Sequence, residues 1–252
     1  MKSEADDMAI YDAVKANYVE VSRALKHIEI AINTSIRNKN DAATIALTRV
    51  QMLLVSVKAE AALTQILYVP NGIPPAIRKV LLAQENALER WRDTVDACFR
   101  LHYKIRPRVD LTQALDHDVL ARRATLHELI DSELSLLISM RNKLAHGQFV
   151  KPLNMTLDSV ESVILGKMIK ENSLTLKYRD NLLEQLASAL KDLVESPITF
   201  ERLFNKRYRS IRDNRAALPI AKYSEWVLRV RSTHVPFSEL VQKYTDKLNE
   251  KS

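Results

Sequence analysis

Residues 40–67, NDAATIALTRVQMLLVSVKAEAALTQIL, are where the fold class is most plainly written. Asn40 and Asp41 are capping residues, able to accept the unpaired N–H groups of a first helical turn. Behind them Leu47, Val50, Leu54, Val57 and Ala61 recur on a helical period, and further apolar residues fill the neighbouring faces. A helix that is apolar on several faces must be enclosed by others, so this segment is expected to be the core element. Arg49, Gln51, Lys58 and Glu60 interrupt it before it reaches the roughly 20 clean residues of a membrane span, so no membrane partner is expected.

Outward from that segment, periodicity predicts more helices. Ile10, Val14, Tyr18, Val21, Leu25, Ile28, Ile32 and Ile36 alternate steps of three and four, the stripe of one long amphipathic helix. The breaker cluster Val69-Pro70-Asn71-Gly72-Ile73-Pro74-Pro75 opens a third helix with stripe Ile77, Leu81, Leu88, Trp91, Val95 and Phe99, ending before Arg106-Pro107. A fourth starts at Asp116 or Asp118, runs through Leu120, Ile130, Leu134, Leu137 and Met140 to Ala145, and is closed by Gly147. Residues 154–172 are ambiguous, with 160–168 a candidate short helix, whereas Leu183, Leu186, Leu190 and Leu193 mark a clear helix over 173–195. Three shorter helices, near 199–212, 220–231 and 236–249, follow Pro197, Pro219 and Pro236. The predicted fold is all-α: an antiparallel bundle over 1–195 and a basic C-terminal helical extension over 196–252.

Composition agrees. Of 252 residues 46% are hydrophobic, while 3 Gly and 8 Pro are too few for a turn-rich β fold. Cys98 is the single cysteine, which excludes an intrachain disulfide and a Cys-based metal cage and fits a reducing cytoplasm; the acidic N-terminus, MKSEADDMAI, shows no secretory signal. Lys and Arg number 38 against 31 Asp and Glu, a formal charge of +7 that points to an anionic partner. Between Arg202 and Arg231 lie nine basic residues and two acids, Asp213 and Glu225, so this segment holds an excess equal to that of the whole chain. Its arginines are interleaved with Tyr208, Tyr223 and Trp226, a composition that suits either single-stranded RNA or a solvated charged face.

One string stands out for chemistry: Arg141-Asn142-Lys143-Leu144-Ala145-His146-Gly147. Chance predicts about 0.5 matches to Arg-x4-His in a chain with these Arg and His counts, and three occur, at Arg122/His127, Arg141/His146 and Arg229/His234. The second alone combines a neutral polar neighbour, a helix end and a following glycine. With the wording RNKLAHGQ, the long helices before it, the VKAEAALTQIL segment and the FRLHY end of helix three, it resembles the HEPN superfamily, whose motif is Arg, four to six residues, then His. The likeness covers the bundle through about residue 195. It implies a HEPN-like bundle and, for members of the RNase and toxin type, an endoribonuclease of toxin or anti-phage systems. It also implies a homodimer with two motifs facing one cleft, and it brings in a cognate antitoxin or a defence complex as a further partner. A HEPN fold serving only as an RNA-binding or protein-interaction module is the alternative.

The residues themselves suit RNA cleavage by the ribose 2′-OH, which needs a base, an acid and positive charge beside the phosphorane, and requires neither a metal nor a cofactor. His146 suits proton transfer as an imidazole, the side chain used most often as general acid or base, Arg141 offers a permanently charged planar fork to phosphate, and Asn142, four residues from His146 on one helix face, can orient the imidazole or the phosphate. Arg and His at a helix end followed by Gly also serve simply to satisfy terminal carbonyls, which is the structural alternative. Glu60, a charge in the most apolar helix, either supports Arg141 from behind or forms a partly exposed ion pair. Lys143, Arg207, Arg209 and Arg212 are the candidates for gripping RNA. His102 and Tyr103 either flank an RNA channel or end a solvated helix, and His127 is expected to be a packed histidine. The sequence has no GxSxG, Walker or dinucleotide-binding loop, and His127-Glu128 lacks the second histidine of a zincin.

Overall fold

The computed structural model describes residues 4–233. The chain is all-α: α1 Glu4–Arg37, α2 Asp41–Leu67, α3 Pro75–Leu82, α4 Ala87–His102, the single turn α5 Leu111–Ala114, α6 His117–Leu129, α7 Ser135–Ala145, α8 Ser162–Lys170, α9 Ser173–Glu195, α10 Pro197–Ala217 and α11 Tyr223–Ser232. The expected helix over 236–249 lies outside the described residues. Among those described no strand occurs, and Leu153 and Val160 form an isolated antiparallel bridge.

α2 is the centre. Asn40 caps it as expected, its Oδ1 accepting from Ala43 N at 3.0 Å. By length and composition α2 would suffice to cross a membrane, yet more than half of its most apolar stretch is buried in the bundle. The innermost line is Met52, Val55, Ala59, Leu63 and Ile66, each at most 5% exposed. The seam expected at Leu47, Val50, Leu54, Val57 and Ala61 is half-buried instead. With apolar residues on every side, periodicity cannot choose between faces, and only the neighbours decide which faces deepest. α1, joined to α2 by three residues, lays its predicted stripe against it; Leu25, Ile32 and Ile36 are buried.

The segment expected as one third helix is two. Asn86 interrupts it: its Oδ1 accepts from Leu88 N at 2.8 Å and Glu89 N at 3.4 Å, restarting the chain as α4. Asn86 with Glu89 three residues on is a helix-start signature that the continuous apolar stripe obscures. The stripe still points inward, with Trp91, Val95 and Phe99 buried.

α6 and α7 form one rod, as expected, but with a π-helical turn at Ile130–Leu134. One extra residue in a turn rotates everything downstream by about 100° relative to an unbroken α-helix. The turn brings Glu133 inward, where it pairs with Arg179, which also donates to Glu171 Oε1 at 2.8 Å. Leu126, Leu129, Ile130, Leu134, Leu137, Met140 and Leu144 keep the rod in the core on both sides of the turn. α9 meets them with Leu183, Leu186, Leu190 and Leu193, all buried, each worth about 1.5–3 kcal/mol.

After Pro197 the core continues. α10 runs from Pro197 to Ala217, longer than the expected 199–212, and its Phe200, Phe204 and Ile211 are buried in the same cluster as the bundle's leucines. α11 begins at Tyr223 and packs on the end of α1, where Val230 joins Ile32 and Ile36 and Arg231 Nε donates to Ile36 O at 3.0 Å.

The turn at residues 68–74 is pressed against α9. A Cβ on Gly72 would collide with Cγ1 of Val194, whose branched side chain has little rotamer freedom in a helix, and would lie 3.1 Å from the Val69 carbonyl oxygen. Gly72→Ala is therefore expected to lower stability by about 1–3 kcal/mol, measured by urea unfolding of the whole chain. Unchanged stability would show that α9 yields at no cost.

Candidate functional site

The string Arg141-Asn142-Lys143-Leu144-Ala145-His146 occupies the last turn of α7 and its cap. The helix ends on Gly147, whose φ of +76° suits a residue without a Cβ. Gly147 N donates to Leu144 O at 3.0 Å, Gln148 N to Lys143 O at 2.9 Å and His146 N to Asn142 O at 3.2 Å. These are the bonds of a left-handed glycine terminus. They bear on the structural alternative, because backbone N–H groups satisfy the carbonyls that the Arg and His side chains would otherwise have closed.

The side chains then divide. Asn142 and His146 are exposed and line one groove, of about 740 Å³, with Ser139, Met155, Leu157 and Ile164 among its other walls. The two motif residues therefore share a face, as their spacing requires. Arg141 points to α2: its Nη2 donates to Glu60 Oε1 at 2.6 Å, with the two side chains 24% and 33% exposed. Glu60 thus forms the partly exposed ion pair that was one of its two expected roles, and its partner is Arg141. The Nε of Arg141 is buried without a hydrogen-bond partner among the described residues.

Lys143, expected to grip RNA, is engaged elsewhere. Its Nζ donates to Leu153 O at 2.5 Å and pairs with Glu161 at 2.7 Å, fastening the connection between α7 and α8. Arg207 departs from expectation for a similar reason. It is only 20% exposed and bonds to Asp192 of α9 through Nε at 2.7 Å, so it is a fastening of α10. Arg209 and Arg212 are exposed, Arg212 beside Asp213 at 2.9 Å, and Arg202 and Lys206 share their outward face. The interleaved aromatics are mostly not presented to solvent. Tyr223 and Trp226 stack on each other with centroids 5.6 Å apart and Trp226 packs on the second core cluster, while Tyr208 is 48% exposed. Spacing along the chain could not reveal which basic residues the neighbouring acids consume.

His102 and Tyr103 do not form the solvated helix end that was one of their two expected roles. His102 lies half-buried against Phe200, and burial lowers its basicity. Tyr103 donates to Glu201, which also pairs with Arg122. Cys98 is buried, which pushes its thiol far up and leaves no thiolate nucleophile at neutral pH. Among the described residues no three of His, Cys, Asp and Glu converge as metal ligands.

His127 packs as expected, with a partner the sequence did not indicate. Its Nε2 lies 2.8 Å from Asp96 Oδ1, and Arg123 donates to both oxygens of that carboxylate, at 2.7 and 2.8 Å. Partial burial pushes the Asp96 carboxyl up, but the bonds and charges of His127 and Arg123 outweigh it and hold it at about 2.

No protein-family model matches the chain, and no curated protein or solved structure matches it either.

Because Asp96 is depressed below the usual carboxylate value of 3.8, it contributes stability that is present above that pH and is lost as pH falls towards 2. Asp96→Asn is expected to be less stable than the parent at neutral pH and to lose less stability between pH 4 and 2, measured by denaturant unfolding at each pH. Parallel profiles for parent and variant would remove the carboxylate from the acid response.

Proposed function

We propose that this chain is an endoribonuclease of the HEPN type that cleaves RNA by attack of the ribose 2′-OH on the adjacent phosphate, without a metal. The observation that carries the reading is the joint exposure of two of the string's polar side chains, Asn142 and His146. Asn142 and His146 stand together on an open groove, and backbone N–H groups, not these side chains, close the helix. Arg141, next to Asn142 in the chain and paired with Glu60, supplies the permanently charged fork that stabilises the phosphorane.

His146 acts as the proton-transfer group. In the cleavage step a base takes the 2′-OH proton, the new P–O bond closes the 2′,3′-cyclic phosphate, and an acid protonates the departing 5′-oxygen. One imidazole cannot be base and acid at once, so a second copy of the chain supplies the other histidine in a homodimer with a shared cleft. Asn142 orients the imidazole or the phosphate. The exposed face of Arg202, Lys206, Arg209 and Arg212 draws in the RNA backbone. Such a nuclease fits a toxin or an anti-phage effector, restrained by an antitoxin or a complex partner. The balancing of Arg141 by Glu60 is the observation that favours the other reading, a non-catalytic RNA-binding or interaction module.

In EDTA, the purified chain is expected to cut single-stranded RNA into products with 2′,3′-cyclic phosphate and 5′-hydroxyl ends, and His146→Ala is expected to slow this by about 10²–10⁴-fold. Cleavage that needs added divalent metal, or that survives His146→Ala, would sink the proposal. RNA binding without cutting would establish the module instead.

A second measurement separates the basic residues. Neutralising Arg209 and Arg212 is expected to reduce the slope of log affinity against log salt by about 0.7 for each phosphate of single-stranded RNA that is no longer neutralised. Arg207→Ala should leave the slope unchanged and lower the unfolding midpoint, because its charge is spent on Asp192. A slope reduced only by Arg207→Ala would contradict this division.

A further inference from the structure

The wall of the groove opposite His146 is a short hairpin at residues 152–161, and its construction is at odds with its tip. Its base is closely tied: Leu153 N donates to Gln148 Oε1 at 2.7 Å, Glu161 N to Pro152 O at 2.8 Å, and Lys143 holds both Leu153 O and Glu161. The turn is braced from within, since Asn154 Nδ2 donates to Asp158 Oδ1 at 2.7 Å and Asp158 N returns a bond to Asn154 Oδ1 at 3.1 Å. Yet this rigid polar frame displays Met155 at 97% exposure and Leu157 at 65%, the latter in the left-handed region at φ 60°. A left-handed position favours glycine or asparagine, so a leucine there carries a backbone cost for an apolar surface that the free chain does not bury.

We infer that Met155 and Leu157 form the stacking wall of a nucleobase slot, which seats an unpaired RNA base beside Asn142 and His146. The inference deepens the nuclease reading and rests on it. Three properties of the groove select a base as occupant. Its volume of about 740 Å³ lies within the roughly 300–1,000 Å³ of small-ligand sites, enough for a nucleotide. Its two opposite charges, Lys143 and Glu161, pair with each other, and the rest of the lining mixes apolar Met155, Leu157 and Ile164 with neutral-polar Asn142, Gln148 and Asn154, which suits a flat ring with donors and acceptors along its edge. A methionine thioether is polarisable and adapts to an aromatic face, and stacking of this kind accepts any base that is not already paired. Since His146 shares the same groove, a base seated there puts its own phosphodiester within the string's surroundings. The slot thereby makes the cleavage selective for single strands.

The test uses the full chain carrying His146→Ala, with and without Met155→Ala/Leu157→Gly. The tip is solvent-exposed and glycine tolerates the left-handed φ, so the fold is retained, checked by helical circular dichroism. Binding of a short single-stranded oligoribonucleotide is measured by fluorescence anisotropy, alongside the same oligomer with one abasic ribose placed at each position in turn. The tip variant is expected to bind the intact oligomer about 2- to 10-fold more weakly. One abasic position should cost the protein with the native tip the same factor and cost the tip variant nothing further. Equal affinity of the two proteins for RNA, or a flat abasic scan, overturns the slot. So does loss of self-association in sedimentation with the abasic sensitivity unchanged, which would assign the tip to a second copy. Cleavage of the same oligomers by the parent chain keeps the two ideas apart. Base-dependent binding without cleavage overturns the nuclease and retains the slot, whereas cleavage indifferent to the tip does the reverse.

Discussion

Enclosure of α2 governs the whole assembly, because a charge on an enclosed helix must find a partner at the edge of the core. Three of its charges do so in three directions. Arg49 donates to Met168 O at the end of α8 at 2.5 Å, Lys58 reaches Asp180 on α9 at 2.9 Å, and Glu60 receives Arg141 from α7. An unpaired charge at such a place would be unfavourable, more so for Lys58, whose side chain is the less exposed, than for Glu60. The contacts therefore set which helices lie beside α2 and in what register. Arg49, Lys58 and Glu60, three of the four residues that broke the apolar run of 42–67 in the sequence, are the ones that attach its neighbours.

The candidate site follows from that attachment. Glu60 fixes where the end of α7 meets the core, and the π turn at Ile130–Leu134 sets its rotation. Together they turn Arg141 towards α2 and leave Asn142 and His146 on the open side. The glycine terminus at Gly147 then removes the carbonyls from competition for those side chains. Each step is ordinary helix chemistry. Their sum is an arginine paired to α2 and, on the other side, an amide and an imidazole exposed on one groove.

The basic excess is less available than its count suggests. Within 202–231, Arg207 and Arg215 reach acids on α9 and α6, and Arg231 closes the end of α1. These residues fasten the C-terminal helices to the bundle, which is why a segment so rich in charge still completes the core through Phe200, Phe204 and Ile211. What remains outward is a stripe along α10, Arg202, Lys206, Arg209 and Arg212, with Lys222 and Arg229 exposed at α11; none of them lines the groove at the end of α7.

The all-α class, the stripes of α1 and α9, the caps at Asn40 and Gly147 and the shared face of Asn142 and His146 were legible in the order of the residues alone, because helical period, capping and terminal glycine are local effects carried by residues a few positions apart. The same reading marked Glu60 and Arg141 as residues to watch, without choosing between two roles for Glu60. Assembly of the helices settled the rest. The burial face of α2 was illegible because every face was apolar, the break at Asn86 lay beneath a continuous stripe, and the fates of Lys143, Arg207 and His127 depended on acids 15 to 31 residues away. Pairing across such distances is set by which helices the core brings together, and no periodicity within one helix encodes it.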